Sequence, residues 1–293
     1  MFPDFLGIGA QKSGTTWLHH NLSRHPEVWL PPVKELHYLD REPPSLFRRL
    51  TKKTETLRKA RSHFRMTLVS LGRKSDLGDL GWAARYLFAP RNDAWYASLF
   101  PELPGRITGE ICPGYAGIEP RRIAHIHSLM PQAKILYLLR NPMDRAWSTT
   151  VMHFNKPNFH GLAAADRDAI RNHLVAGKTR KHGDYLENLR SWRAHYPSDE
   201  VFVGYFDQLE EDPRGLLKDI LAFLGVGCDE AVLSSGVAKH QNKGKGDPIP
   251  GEFRELLAEL HYSEIAALNV AMPNPYTQRW LEGALAARGP GSA

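Results

Sequence analysis

Short apolar runs alternate along this chain with stretches of helical periodicity. The apolar runs lie at residues 5–9, 28–30, 106–111, 134–139 and 201–205. The run at 134–139 is apolar at almost every position, which is typical of a strand buried on both faces. Helical patterns lie at about 15–23, 119–129, 141–154, 213–224 and 252–269. This alternation predicts an α/β fold with a central, mainly parallel sheet flanked by helices.

One stretch departs from the alternation. Residues 41 to about 90 contain no clear strand, and they carry a cluster of cations: Arg48, Arg49, Lys52, Lys53, Arg58, Lys59, Arg61 and Arg65. We expect a mostly helical, basic insertion within a single domain at 1–287, followed by a disordered tail at 288–293. The cations form either a solvated helix face or a surface that acts as a lid or recognises an acceptor.

Composition narrows the class of protein. The 293 residues are 42% hydrophobic, and 38 basic against 32 acidic residues give a net charge of +6, a weak indication of an anionic partner. No apolar run approaches the roughly 20 residues of a membrane helix, and the N-terminus lacks the pattern of a signal peptide. Cys112 and Cys228 offer neither a disulfide framework nor a CxxC site, and the histidines show no zinc-binding spacing. We therefore expect a soluble protein of a reducing compartment with no metal.

The most informative segment follows the first apolar run. Between Gly9 and Thr16 the sequence GAQKSGTT joins a predicted strand to a helix, where backbone N–H groups converge on an anion. Gly9 and Gly14 have the Walker A spacing, but Thr15 occupies the position of the Walker lysine. The cation lies instead inside the loop, at Lys12. The loop predicts a P-loop-like, three-layer fold. The displaced lysine argues against an ordinary ATPase or GTPase.

A second anion site is predicted at the end of the strand at 134–139. Arg140 follows that strand directly, at the edge where open α/β sheets bind ligands, and Ser148 lies on the next helix. The two side chains could hold one phosphate from two sides. Together with the first loop, they imply a ligand that carries two separated anionic groups.

At this point the sequence resembles a known family. QKSGTTWL at 11–18 and RNPMDRAWS at 140–148 resemble the sulfotransferases that use 3′-phosphoadenosine-5′-phosphosulfate (PAPS), most closely the branch of the heparan sulfate sulfotransferases and their bacterial relatives. Further similar segments are KELHYLD at 34–40, WYASLFP at 95–101, GEICPGY at 109–115 and NKGK at 242–245. Their shared order, rather than any one motif, carries the resemblance. Ile111 departs from it, because that branch often has Lys there.

The resemblance implies roles for individual residues. Those that would bind the 5′-phosphosulfate end are Lys12, Ser13, Gly14, Thr15 and Thr16, with Trp17 in the same motif. Those that would bind the 3′-phosphate are Arg140 and Ser148, helped by Lys243, Gly244 and Lys245. Glu35 would be the general base that deprotonates an acceptor hydroxyl or amine, and Lys12 would stabilise the departing product PAP. His37 is an alternative base.

Several alternatives stay open at this stage. Glu35 could form a mere surface ion pair with Lys34, and Glu110 could orient Lys12, orient the acceptor or support the fold. The acceptor could be a glycan, a lipid alcohol, a phenolic natural product or a peptide tyrosine, with a carbohydrate or other alcohol favoured. We expect a cytoplasmic, bacterial-type enzyme. The competing functions are a P-loop kinase-like phosphotransferase and a basic nucleic-acid-binding module, although Phe64 is the only aromatic residue within the cation cluster.

Overall fold

The computed structural model describes residues 1–40, 77–156, 158–176, 183–230, 233 and 248–288. Within these ranges, five strands form one sheet in the order β2-β3-β1-β4-β5, and every neighbouring pair is parallel. The strands are β1 Phe5–Gly9, β2 Val28–Trp29, β3 Ile107–Ile111, β4 Lys134–Leu139 and β5 Val201–Tyr205. The predicted parallel α/β sheet is therefore confirmed.

Helices cover both faces of the sheet. They are α1 Thr15–Leu22, α2 Leu77–Phe88, α3 Asp93–Ser98, α4 Pro120–Leu129, α5 Pro142–Phe154, α6 Arg167–Val175, α7 Tyr185–Arg193, α8 Phe206–Glu211, α9 Pro213–Leu224, α10 Gly251–Ala271 and α11 Pro275–Ala287. The sequence pattern did not predict α3, α6, α7, α8 or α11. None of the helices in the described ranges is both long and apolar enough to cross a bilayer.

Alternate residues of the central strands face two separate hydrophobic clusters, as the pleat of a strand requires. In β4, Ile135 and Tyr137 belong to one cluster, whereas Leu136 and Leu138 belong to the other. The sheet is thus the middle of three layers. Its register is fixed in part by size, since Phe5 pairs with Gly109 and its ring occupies the space that a Cβ of residue 109 would need.

The strand order places a topological switch point between β1 and β4. From β1 the chain continues toward β3 and β2 on one side, whereas from β4 it continues to β5 on the other side. Open α/β sheets bind ligands in the crevice at the carboxyl ends of two such strands. The predicted anion-binding residues Lys12 and Arg140 follow β1 and β4, so both lie at this crevice.

Several expectations fall wholly or partly outside the described residues. Residues 41–76, with the cation cluster, lie outside them, and the rest of the expected insertion contributes α2. Lys243, Gly244 and Lys245 also lie outside, as do residues 289–293 of the predicted tail. Arg288 is described, and its guanidinium lies 4.3 Å from the centre of the Tyr262 ring on α10.

Candidate active site

The loop at residues 10–14 turns the chain from β1 into α1. Gly14 is the N-cap of α1 with φ 88°, a left-handed conformation that favours glycine, and no side chain caps the helix. A Cβ on Gly14 would lie 2.5 Å from Leu209 Cδ2, so the site also lacks space for a side chain. The first turn of α1 has no acidic residue. Its N–H groups therefore form an uncapped, electropositive helix end.

Two cations lie side by side at this helix end. Arg140 Nη1 donates to the carbonyl oxygen of Lys12 at 3.0 Å, and the guanidinium lies 4.3 Å from the centre of the Phe206 ring. Burial, and then the charge of Arg140, lower the pKa of Lys12. These two half-buried like charges repel each other, although the carboxyl of Asp144 also interacts with Arg140. An anion bound between them would relieve that repulsion, so the residues fit a phosphate or sulfate group.

The other residues predicted for the nucleotide site differ in how far they are buried. Ser13 and Thr15 are buried beneath the turn, and Thr16 is half-buried in the first turn of α1. Trp17 is only 1% exposed and packs into a hydrophobic cluster, so any contact it makes with a ligand is limited to its backbone. Ser148 is half-buried in the second turn of α5.

The 34–40 segment follows β2 and carries Glu35. One oxygen of that carboxylate lies 3.0 Å from Lys34 Nζ, and the other lies 3.5 Å from His37 Nε2. The interaction with His37 and the charge of Lys34 outweigh burial and lower the pKa of Glu35 to about 2. Glu35 is therefore ionised at neutral pH. The ion pair with Lys34 that the sequence suggested does form, but it lies beside the first turn of α1 rather than on a remote surface.

Lys34 connects the 34–40 segment to the first turn of α1, directly after the loop. Its Nζ donates to Thr16 Oγ1 at 3.2 Å while it pairs with Glu35. This bridge brings the candidate base to the helix end at which an anion site is predicted. From the sequence, Lys34 is evident only as a partner of Glu35, because nothing there indicates that its side chain reaches α1.

His37 lies between two carboxylates. Its Nδ1 lies 2.7 Å from Asp40 Oδ2 and 3.5 Å from Cys112 Sγ, while its Nε2 faces Glu35. The hydrogen bond with Asp40 is the largest cause that raises the pKa of His37, to about 12. The ring is thus a cation at neutral pH. One potential ligand atom from each of His37, Asp40 and Cys112 lies within 4.8 Å of the others, but the hydrogen bonds among them already account for this arrangement.

Glu110 lies beneath the 34–40 segment and is only 1% exposed. Its Oε1 accepts from the Leu36 N–H at 2.8 Å and from the Tyr115 hydroxyl at 2.9 Å, and its Oε2 accepts from the Tyr96 hydroxyl at 2.6 Å. Burial raises the pKa of Glu110 to about 7, although these three donors oppose the shift. Of the roles that the sequence left open, these contacts agree with support of the segment.

A supporting role for Glu110 was left open from the sequence, but its partners were not predicted, although they lie in segments that carry the resemblance. WYASLFP supplies Tyr96, and GEICPGY supplies both Glu110 and Tyr115. Asp40, the strongest partner of His37, ends the KELHYLD segment. The resemblance identified these stretches, but their mutual contacts depend on the way the chain folds.

Comparison with known proteins identifies what this arrangement is similar to. The sequence model of the sulfotransferase family matches residues 3–230. Heparan sulfate glucosamine 3-O-sulfotransferase 6 of Mus musculus is 29% identical over 184 residues, which cover 55% of this chain and 52% of that protein. The chain thus spans about half the length of this relative.

Solved sulfotransferase structures share the fold of this chain. A sulfotransferase from Alicyclobacillus acidocaldarius superposes with a TM-score of 0.62 and 25% identity, and the match covers 96% of this chain and 99% of that one. The mouse sulfotransferase SULT7A1 complexed with PAP superposes with a TM-score of 0.53 at 15% identity, covering 97% of this chain and 89% of that one. The second likeness concerns the fold alone.

Proposed function

Since the chain belongs to the sulfotransferase family, we propose that it transfers the sulfuryl group of PAPS to a hydroxyl or amine of an acceptor. The observation that carries the proposal is the pair of cations, Lys12 and Arg140, at the uncapped end of α1, with Glu35 linked to that end through Lys34. A donor with two anionic ends and a nucleophile that must lose a proton require these groups.

The nucleotide would span the switch point. Lys12, Ser13, Gly14, Thr15 and Thr16 would bind its 5′-phosphosulfate through the loop and the first turn of α1. Arg140 and Ser148 would bind its 3′-phosphate, with Lys243, Gly244 and Lys245 as further predicted contacts. The PAP in the structure of mouse SULT7A1, which shares this fold, supports the choice of nucleotide. Thr15 at the Walker lysine position speaks against ATP as the donor.

In the proposed reaction, the acceptor oxygen or nitrogen attacks sulfur in line with the leaving oxygen. One bond forms between sulfur and the acceptor while the bond from sulfur to the 5′-phosphate oxygen breaks. Glu35 takes the acceptor proton, and Lys12 stabilises the negative charge that develops on the departing PAP. A sulfuryl group carries less charge than a phosphoryl group, so these side chains supply the electrostatic stabilisation and the proposal requires no metal.

The protonation states support Glu35 rather than His37 as the base. A ring held as a cation by Asp40 and Glu35 has no free lone pair with which to accept a proton. Glu35 is ionised and can accept one, although the pKa of about 2 makes it a weak base in the resting site. A weak base suffices when proton transfer follows bond formation, because the acceptor oxygen becomes strongly acidic once it binds sulfur. His37 would then orient Glu35.

We propose a carbohydrate or another alcohol as the acceptor, which agrees with the heparan sulfate enzymes among the relatives. Ile111 stands where that branch often has Lys, so a heparan-like polyanion is not the preferred candidate. A cytoplasmic location belongs to the same proposal. It agrees with the free thiols of Cys112 and Cys228, since reducing compartments keep cysteines unpaired.

The test is a transfer assay with ³⁵S-labelled PAPS against panels of sugars, lipid alcohols, phenols and tyrosine peptides. We expect label on one acceptor class, and PAP but not Mg-ATP should raise the melting temperature. Stabilisation by Mg-ATP without any response to PAP would indicate a kinase-like phosphotransferase. Binding to DNA or RNA that weakens steeply with salt, without any sulfuryl transfer, would indicate the nucleic-acid-binding alternative.

A further inference from the structure

We infer that Glu110 and Tyr115 are positioning residues, which hold the 34–40 segment in the conformation that presents Glu35 to the acceptor. This inference rests on the proposed function, because it assigns Glu35 the role of base. It concerns two side chains that lie beneath the site and to which the reaction itself gives no part. Their role would be to act through the backbone of the segment.

The hydrogen bonds reach the backbone on both sides of His37. Glu110 Oε1 accepts from the Leu36 N–H at 2.8 Å, and the Tyr115 hydroxyl accepts from the Tyr38 N–H at 3.2 Å. The Tyr115 hydroxyl in turn donates to Glu110 Oε1 at 2.9 Å. One buried carboxylate therefore fixes Leu36 directly and Tyr38 through a single phenol.

The segment needs such support because its backbone is unfavourable. Glu35 has φ 62° and His37 has φ 51°, both in the left-handed region that side chains with a Cβ avoid. A conformation of this kind persists only where the surroundings hold it, and such sites cluster where function requires a fixed geometry. Glu110 and Tyr115 hold Leu36 and Tyr38, the residues that alternate with Glu35 and His37.

Burial indicates that Glu110 has a specific use. A buried carboxylate is unfavourable unless donors surround it, and an apolar residue would pack in the same space without that need. Here three donors from separate parts of the chain converge on it: Leu36, Tyr96 and Tyr115. Through the bond to Leu36, the carboxylate ties the 34–40 segment to β3. Loss of the carboxylate should therefore change the conformation of the segment before that of other regions.

Tyr96 provides a matched control. Like Tyr115, it is fully buried and donates its hydroxyl to Glu110, at 2.6 Å. Only the Tyr115 hydroxyl also accepts from an amide of the segment. Tyr115→Phe and Tyr96→Phe thus remove the same atom from the same carboxylate, but only Tyr115→Phe removes a direct bond to the segment.

The experiment measures amide hydrogen exchange of the full-length chain by mass spectrometry, without ligand and with PAP, in the wild type, Glu110→Gln, Tyr115→Phe and Tyr96→Phe. We expect Glu110→Gln and Tyr115→Phe to speed exchange within 34–40 by about 10-fold. Exchange in residues 10–18 and the Kd for PAP should stay near wild-type values. With the acceptor found by the transfer assay, kcat should fall about 10- to 100-fold at unchanged KM for PAPS, since small displacements of a reacting group are costly. Tyr96→Phe should change segment exchange and kcat less than Tyr115→Phe.

Wild-type exchange of the segment in both Glu110→Gln and Tyr115→Phe would overturn the inference. So would a rise spread evenly over the chain, or equal effects of the two Tyr→Phe changes, since either result would indicate a general structural role. If Glu110→Gln does not fold, the two Tyr→Phe variants decide the question. Failure of the proposed function would be seen separately, as absent PAP binding or absent transfer, while the exchange of the segment without ligand still tests its support.

Discussion

The loop at 10–14, which we propose binds the nucleotide, leads into α1, and Lys34 of the 34–40 segment donates to Thr16 in the first turn of that helix. The loop and the segment are nevertheless held in place by different means. The loop is shaped mainly by its neighbours in sequence, with the Ser13 N–H donating to Ala10 O and Gly14 starting the next helix, and Arg140 adds one distant bond to Lys12 O. The segment is held by residues more than 70 positions away, through Glu110, Tyr115 and the Arg122 side chain, which donates to Leu39 O at 2.7 Å.

This difference separates binding from turnover. A loop built from backbone groups and a helix end binds an anion whatever the neighbouring segment does. The base that we propose lies on a segment with left-handed residues and would depend on distant side chains for its position. We therefore expect changes in the loop to affect nucleotide affinity and chemistry together, and changes in the segment to affect chemistry alone.

Lys12→Ala should have the largest effect, because Lys12 belongs to the loop and, in the proposed reaction, would also stabilise the leaving group. Loss of one preorganised donor typically costs about 10²–10³-fold in kcat, and weaker PAPS binding should bring the loss in kcat/KM to about 10⁴-fold. Transfer kinetics and PAP calorimetry measure both parts. Lys134→Ala is the charge-matched control, because Lys134 begins β4 at the opposite end of the sheet. Equal losses in both variants would mean that only net charge matters.

Glu35→Gln should leave the Kd for PAP nearly intact while kcat falls about 10³-fold, within the range for a lost general base. The control is Glu119→Gln, which breaks an exposed ion pair with Arg121. If Glu35 formed only an ion pair of that kind, the two variants would behave alike, since exposed pairs contribute little. Full activity in Glu35→Gln would refute its role as base.

The same contrast explains how far the sequence could be interpreted. The loop residues Lys12 and Gly14 are contiguous with a strand and a helix, so local pattern alone predicted their site. Glu35 was predicted as a base only through a resemblance, because a Glu beside a Lys is ordinary on any surface. The support by Glu110 was left open, because its bond to Leu36 spans 74 positions and no periodicity encodes such a contact.

The short helices were missed for a related reason. α3, with its Asn92 cap, has only six residues, so too few positions repeat to reveal a helical period. α11 is longer, and its signals are the capping box of Asn274 with Thr277 and the proline at its start. These were available in the sequence, and attention to caps rather than hydrophobic runs would have found this helix.

Gly14→Ala should destabilise the loop at 10–14 without changing the conformation of the 34–40 segment. The substitution places a Cβ at φ 88° and 2.5 Å from Leu209 Cδ2, so both strain and a clash oppose it. We expect a loss of about 2–4 kcal/mol in the free energy of unfolding, together with weaker PAP binding. The double variant Gly14→Ala with Leu209→Ala removes the clash but keeps the backbone strain, and Leu209→Ala alone is its reference. If the double variant regains wild-type PAP affinity, the clash rather than φ is the constraint.

The smallest effect concerns how the free energy of unfolding depends on pH. Glu110 and Glu35 should contribute to it with opposite signs. Burial raises the pKa of Glu110 from 4.5 to about 7, so between these values the folded protein holds a proton that the unfolded chain has lost. The free energy of unfolding of the wild type, relative to Glu110→Gln, should therefore rise as pH falls from 8 to 5, by at most about 3 kcal/mol. For Glu35 the pKa is lowered from 4.5 to about 2, so its contribution to the free energy of unfolding is present above pH 4.5 and is lost only as pH falls toward 2.

Urea unfolding of the wild type, Glu35→Gln and Glu110→Gln at several pH values measures both differences, and the contributions of groups shared by all three proteins cancel. A flat difference for Glu110→Gln between pH 5 and 8 would mean that its carboxyl is ionised throughout. The three donors would then outweigh burial, and the segment would be held by a permanent charge.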